Sequence, residues 1–324
     1  MDDALLRRYA ALIVEVGANV QPGQTVWIVA EPGAAPLARL VAAAAYERGA
    51  RFVDPWYFDP HVKRIRLERA AEDTLDFVPS WYGRRLVDLG EGHGVRISIT
   101  PQVPPGLLAG IDPARAGRDA LPALAENFDV INAKTTNWTV VPWPSPEWAR
   151  LVHPGVDDDT AIAKLWEQLV FVLRLDEPDP AAAWHARLAQ LHDAGKRVDA
   201  HRFDALHFEG PGTDLTVGLL PTSRFASDTP GMQTVDGVVH APNLPTEEIG
   251  TSPDPLRAEG VVTATKPLDV GGTVVRDLRV RFEGGRAVKI EGDGAEALRA
   301  RTAKDDGASR LGEVALVDRE GRIG

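Results

Sequence analysis

No cysteine occurs among the 324 residues, so disulfides, thiolate metal sites and cysteine nucleophiles are excluded together, and the composition suits a reducing compartment. Any metal has to be held by carboxylates or histidines. Basic charge is scarce as well: 36 Lys and Arg stand against 47 Asp and Glu, a formal net charge of −11, with no compensating basic block. Nucleic acid and anionic membranes are therefore not expected as partners. Long apolar runs are missing too. The two most apolar stretches, 37–46 and 165–175, are interrupted by Arg39 and Glu167 and fall short of the roughly 20 residues that a membrane span requires. The chain opens Met1-Asp2-Asp3, where a secretory signal would carry positive charge, so a cytoplasmic location is expected. There is no internal repeat and no low-complexity tract.

What is present is globular: 44% hydrophobic and 26% charged residues, with Gly 30 and Pro 25 spread without period. The length favours two domains. Leu5, Leu6, Tyr9, Leu12, Ile13 and Val16 recur at helical spacing before Gly17. Residues 25–30 read as a buried strand, Leu37 to Ala45 as a helix face ending at Gly49, and 51–57 as a second strand, which makes a βαβ unit with a parallel pair. A helical stretch around 80–89 and a strand at 95–100 extend the alternation. Two helices follow between Asp157 and Gly195, the second starting at Asp179-Pro180 and stopping at Gly195. Beyond Gly195 the texture changes to short β-prone runs at 205–209, 214–219, 260–265 and 279–290, the last folded on Gly284-Gly285 as an antiparallel hairpin. The expected architecture is an α/β N-terminal domain with parallel strands and connecting helices over 1–195, and a C-terminal α+β domain rich in antiparallel strands over 196–324.

The turn after the first strand, Ala30-Glu31-Pro32-Gly33-Ala34-Ala35, has neither the glycines nor the lysine of a phosphate loop, and Glu31 would repel a phosphate. No nucleotide site is expected. His185 and His192 share a helix face, but they lack the i, i+4 spacing of zinc helices, and Leu188 lies between them. A metal pair is not expected there. Asp214, Asn137 and Trp138 read as a turn acid, a loop amide and a packed aromatic.

Two segments carry the chemistry. In Ala241 to Asp254 (APNLPTEEIGTSPD) prolines stiffen an extended backbone, so adjacent Glu247 and Glu248 point to opposite sides and only one can face a given site. In Arg310 to Asp318 (RLGEVALVD), Glu313 stands at the entrance of an apolar strand. Taken singly, each carboxylate reads better as a solvated surface group than as a site. A glycosidase built on Glu247 and Glu248 fails because neighbouring glutamates diverge instead of facing across a sugar.

Together, Asn243-Leu244-Pro245-Thr246-Glu247-Glu248 with Thr251 and Pro253, and Leu311-Gly312-Glu313-Val314-Ala315-Leu316-Val317, resemble the thermophilic-type metalloaminopeptidases of peptidase family M29. The resemblance extends to Thr136-Asn137-Trp138-Thr139-Val140-Val141-Pro142, Ala205-Leu206-His207-Phe208 and Gly210-Pro211-Gly212-Thr213-Asp214-Leu215. It implies an exopeptidase with a C-terminal catalytic domain, usually dimeric, acting on peptides through two divalent metal ions (Zn, Co, Mg or Mn). Glu248 and Glu313 fall on the family's metal-ligand positions and are the implied catalytic and metal residues, with Glu247 supporting them from behind. The family pattern continues into a histidine, a tyrosine and a His-x-Asp pair, which find no counterpart before Gly324, and His201, His207 and His240 do not fall on ligand positions. The catalytic domain is therefore expected to be incomplete here. A catalytically incomplete relative serving as a dimeric scaffold or peptide-binding module is the alternative.

Overall fold

The structure is a computed structural model, describing residues 2–122 and 124–323. Helix α1 (Asp3–Leu12) is capped by Asp2, continues through a π-helical turn at Ile13–Gly17, and buries Leu6, Tyr9, Leu12 and Ile13. The first sheet is built by β1 (Thr25–Ala30), α2 (Ala35–Glu47), β2 (Phe52–Tyr57), α3 (Pro60–Arg69), α4 (Ser80–Glu91), β3 (Val95–Thr100), α5 (Pro113–Arg118), α6 (Glu126–Asn132) and β4 (Asn137–Pro142). Its strands are parallel in the order β2-β1-β3-β4. Helices packed against an all-parallel sheet explain why β1 and β3 are buried almost throughout.

β4 corrects one expectation. Asn137 is not a loop amide but the first residue of an edge strand, and it is fully buried. Its Nδ2 donates to the carbonyl of Ala18 (2.6 Å), and its Oδ1 accepts from Gln24 Nε2 (2.8 Å). A buried amide of this kind survives because both ends are bonded. Trp138 packs beside the His240 ring, with centroids 6.2 Å apart.

Next come α7 (Pro146–Val152), α8 (Asp158–Val172), capped by Asp157, and α9 (Pro180–His201), capped by Asp179. Contrary to the expected stop, α9 runs straight through Gly195 and ends at Arg202, which adopts a left-handed backbone (φ 52°). Position 195/196 therefore lies inside a continuous helix. Gly195 is there because the chain crosses at close range: a Cβ on it would lie 2.7 Å from the Phe225 carbonyl oxygen.

The remaining elements are β5 (Ala205–Gly210), β6 (Thr213–Leu219), β7 (Met232–Gln233), β8 (Val239–His240), β9 (Glu248–Thr251), β10 (Pro253–Thr263), β11 (Leu268–Val270), β12 (Thr273–Glu283), β13 (Arg286–Asp293), α10 (Glu296–Thr302) and β14 (Val314–Val317). Antiparallel pairing gives the order β11-β12-β10-β6-β5, with β13 also on β12. Gly284 and Gly285, at φ 55° and 79°, make the tight turn of the β12–β13 hairpin. Asp214 is an exposed residue of β6 opposite Glu209 rather than a turn acid, the turn itself being made by Pro211 and Gly212.

Two cores result. One joins α1, the parallel sheet, α8 and Trp184 of α9, and takes in Ala241 and Leu244 from the later part of the chain. The other lies on the antiparallel sheet around Val217, Val275, Phe282 and Val314.

Candidate metal centre

The segment bearing the paired glutamates is fixed at both ends. Upstream, Ala241 N–H donates to the carbonyls of Val16 and Gly17, Val140 N–H donates to Pro242, and Leu244 N–H donates to Val140, so residues 241–244 line the edge of β4. Downstream, β9 pairs antiparallel with β14, Glu248 opposite Val317 and Gly250 opposite Ala315. Directly opposed residues share a face. The even-numbered residues of β9 and the odd-numbered residues of β14 therefore lie on one side. That side carries Glu248, Gly250 and, extending the strand by one residue, Glu313.

Gly250 makes the meeting possible. A Cβ at this position would lie 2.9 Å from Glu313 Oε1, so the carboxylate of Glu313 reaches across the bare Cα of Gly250 toward Glu248. Both glutamates are exposed, and neither has an ion-pair partner among the described residues. Partial burial of its carboxyl raises Glu248 above its ordinary pKa, and the neighbouring negative charge of Glu313 raises it further.

The opposite face is closed. Glu247, only 2% exposed, accepts from Arg174 Nη2 (2.6 Å) through Oε1 and from Arg187 Nε through Oε2. Arg187 Nη2 also donates to Asp318 Oδ2 (2.9 Å), and Asp318 N–H donates to the Glu247 carbonyl (3.1 Å). One guanidinium thus clamps the ends of both strands. The Glu320 backbone N–H and Arg187 together hold the Asp318 carboxyl below its ordinary pKa. Arg174 stacks over Trp184 at 5.3 Å from the ring, joining the clamp to the first core.

The sequence thus anticipated the divergence of Glu247 and Glu248, but not the clamp. A signal for it exists: Trp184, Leu188, Leu191 and Gly195 form the inward stripe of α9, and Arg187 stands among them. A charge on an apolar stripe needs a buried counter-charge.

The donor set of the open face fits a divalent cation. Two carboxylates that repel each other, with no protein cation among the described residues to neutralise them, supply hard oxygen ligands of the kind that calcium, magnesium, manganese or zinc accept. Among the described residues no group of three or more His, Asp or Glu is gathered that would complete a coordination shell.

Known proteins resemble this chain over nearly its whole length. The family model for the thermophilic metalloproteases (M29) matches residues 2–324. Aminopeptidase T of Thermus thermophilus is 40% identical over 323 residues, covering 98% of this chain and 78% of that protein. Aminopeptidase 2 of Geobacillus stearothermophilus is 36% identical over 326 residues, covering 98% and 77%. The solved structure of wild-type AmpT from Thermus thermophilus superimposes with a TM-score of 0.85 at 38% identity, covering 99% of this chain and 79% of that one.

Proposed function

The chain belongs to the thermophilic metalloprotease family, M29, and is an enzyme of the metalloaminopeptidase kind; from that premise we propose that it releases N-terminal residues from peptides at a two-cation centre founded on Glu248 and Glu313. The observation that carries this reading is the open face of the β9·β14 pair, where the Glu313 carboxylate lies over Gly250 on the side that bears Glu248, without a protein counter-charge among the described residues.

In this reading Glu248 and Glu313 bind the cations through oxygen, as zinc, cobalt, magnesium or manganese permit. When bound, divalent cations supply a water activated near neutral pH and a polarised scissile carbonyl. The chain's own contribution is placement. Backbone pairing fixes the spacing of the two ligating strands, Arg187 ties their ends together, and Gly250 keeps the space between the carboxylates free. Since two donors hold a cation weakly, water, substrate or further protein groups complete the shell. The cysteine-free composition supports a cytoplasmic setting. The exposed rings of Phe52 and Trp81, which line one groove, offer apolar surface of the kind a second copy covers.

The test is release of leucine from a leucyl anilide after loading with zinc, cobalt, magnesium or manganese, alongside metal analysis. Metal-dependent release supports the reading. Absence of turnover with every metal contradicts it.

A further inference from the structure

β9 has β14 on one edge and no strand on the other among the described residues. The Asp318 to Glu247 backbone bond makes 247·318 a bonded pair, so by alternation 249·316 and 251·314 are bonded as well. Glu248 and Gly250 consequently turn their N–H and C=O groups away from β14. Against β9, and lined by no residue of β14, lies a cavity of about 220 Å³; Leu191, Phe225, Met232 and Ile249 give it apolar walls, and His192, Ser227 and Thr229 stand with Glu248 as its polar groups. An apolar cavity of roughly 150 Å³ already admits a benzene ring, so this one has room for a leucine-sized or aromatic side chain.

We propose that the free edge of β9 and this cavity form the substrate seat: the edge bonds the peptide backbone next to the scissile amide as an added strand, and the cavity receives the side chain of the N-terminal residue. The assignment rests on the aminopeptidase reading and deepens it. Strand addition supplies affinity that is indifferent to sequence, while a pocket beside it supplies selectivity. The placement is consistent with hydrolysis, because Glu248 belongs both to the cavity wall and to the paired carboxylates. It assigns a preference for peptides that begin with a medium-sized apolar residue. It also assigns Met232 to specificity, since that side chain is half-buried on the short strand β7 and belongs to neither core.

The experiment compares wild type, Met232→Trp and Met232→Leu on tripeptides that begin with alanine or leucine. Titration calorimetry with the corresponding reduced-amide analogues runs in parallel. Filling the cavity with tryptophan lowers the leucine-to-alanine ratio of kcat/KM by at least about tenfold, the scale on which one methylene is discriminated, whereas Met232→Leu keeps the wild-type ratio. N-methylation of the first amide beyond the scissile bond costs at least about tenfold for every variant. An unchanged ratio in a folded Met232→Trp protein overturns the pocket, and an unimpaired N-methyl substrate overturns the edge. If wild type cleaves no peptide with any metal, the aminopeptidase reading fails separately. Calorimetry then decides the pocket, which requires the leucine analogue to bind more tightly than the alanine one and to lose that advantage in Met232→Trp.

Discussion

Glu247 and Glu248 are adjacent residues of one type with opposite surroundings. Glu247 turns inward to Arg174 and Arg187, and its charge is fully answered. Glu248 turns outward to Glu313, and its charge is opposed. The two faces of the β9·β14 pair divide labour accordingly. A closed ionic network on one side supplies rigidity, and an unneutralised pair of acids on the other is the proposed seat of a cation that the fold does not itself provide. Folding alone does not favour the second arrangement, since like charges brought together are destabilising.

Changes on each side therefore produce different failures. The largest effect is expected from Glu247→Gln, which leaves the largely covered Arg174 and Arg187 without their buried counter-charge. Removing one member of a buried pair costs about 3–5 kcal/mol, so chemical denaturation should show a loss of that size, with activity falling only as the protein unfolds. Glu248→Gln and Glu313→Gln should do the reverse. Supporting groups behind metal ligands are worth about 10–100-fold, so either of these changes should lower metal-dependent kcat/KM by at least about 100-fold, while the melting temperature stays level or rises. If Glu247→Gln proved merely inactive and Glu248→Gln merely unstable, the division between the faces would be inverted.

Gly250→Ala is a finer probe. Its new methyl group would lie 2.9 Å from Glu313 Oε1 and must push that carboxylate aside. About tenfold weaker metal binding is expected, equal to about 1.4 kcal/mol, with the fold retained because the Gly250 backbone is not left-handed. Weakened binding by calorimetry and an unchanged circular dichroism spectrum would confirm it.

The smallest effect concerns pH in metal-free protein. Because the folded pKa of Glu248 is raised, the folded state holds its proton longer than the unfolded chain does. Stability falls as pH rises from the unfolded value through the folded one, and the cost is complete above the folded pKa. Glu248→Gln should therefore be slightly more stable than wild type at neutral pH, by less than about 1 kcal/mol for so exposed a group, and equal to it below the unfolded carboxylate pKa near 4. Asp318 has the opposite sign: its depressed pKa stabilises above the unfolded value and is lost on acidification. Paired denaturation curves for Glu248→Gln and Asp318→Asn across pH 3 to 7 would separate the two.

The sequence disclosed these faces unequally. Period and turn residues were enough to place β1, α2, β2, β3 and the β12–β13 hairpin. They were insufficient for β4, whose leading Asn137 is polar yet buried because its bonding partners at Ala18 and Gln24 lie more than 100 residues away. Gly195 misled for a similar reason: its glycine serves a close crossing by Phe225 inside the helix, not a helix end. At the centre, strand alternation foretold that only one of Glu247 and Glu248 could face outward, and family resemblance pointed to Glu313. That Arg187 clamps Glu247 and Asp318, and that Gly250 clears the ground between the outer acids, depends on a strand pairing across 65 positions that no local pattern reports.

The central claim is that Glu248 and Glu313 act on one cation site together. Calorimetric titration of cobalt or zinc into wild type, Glu248→Gln, Glu313→Gln and the double variant tests it most directly. The account predicts that each single change removes the same binding event and that the double change costs little more than either alone. Isotherms for both single variants that match wild type would contradict it.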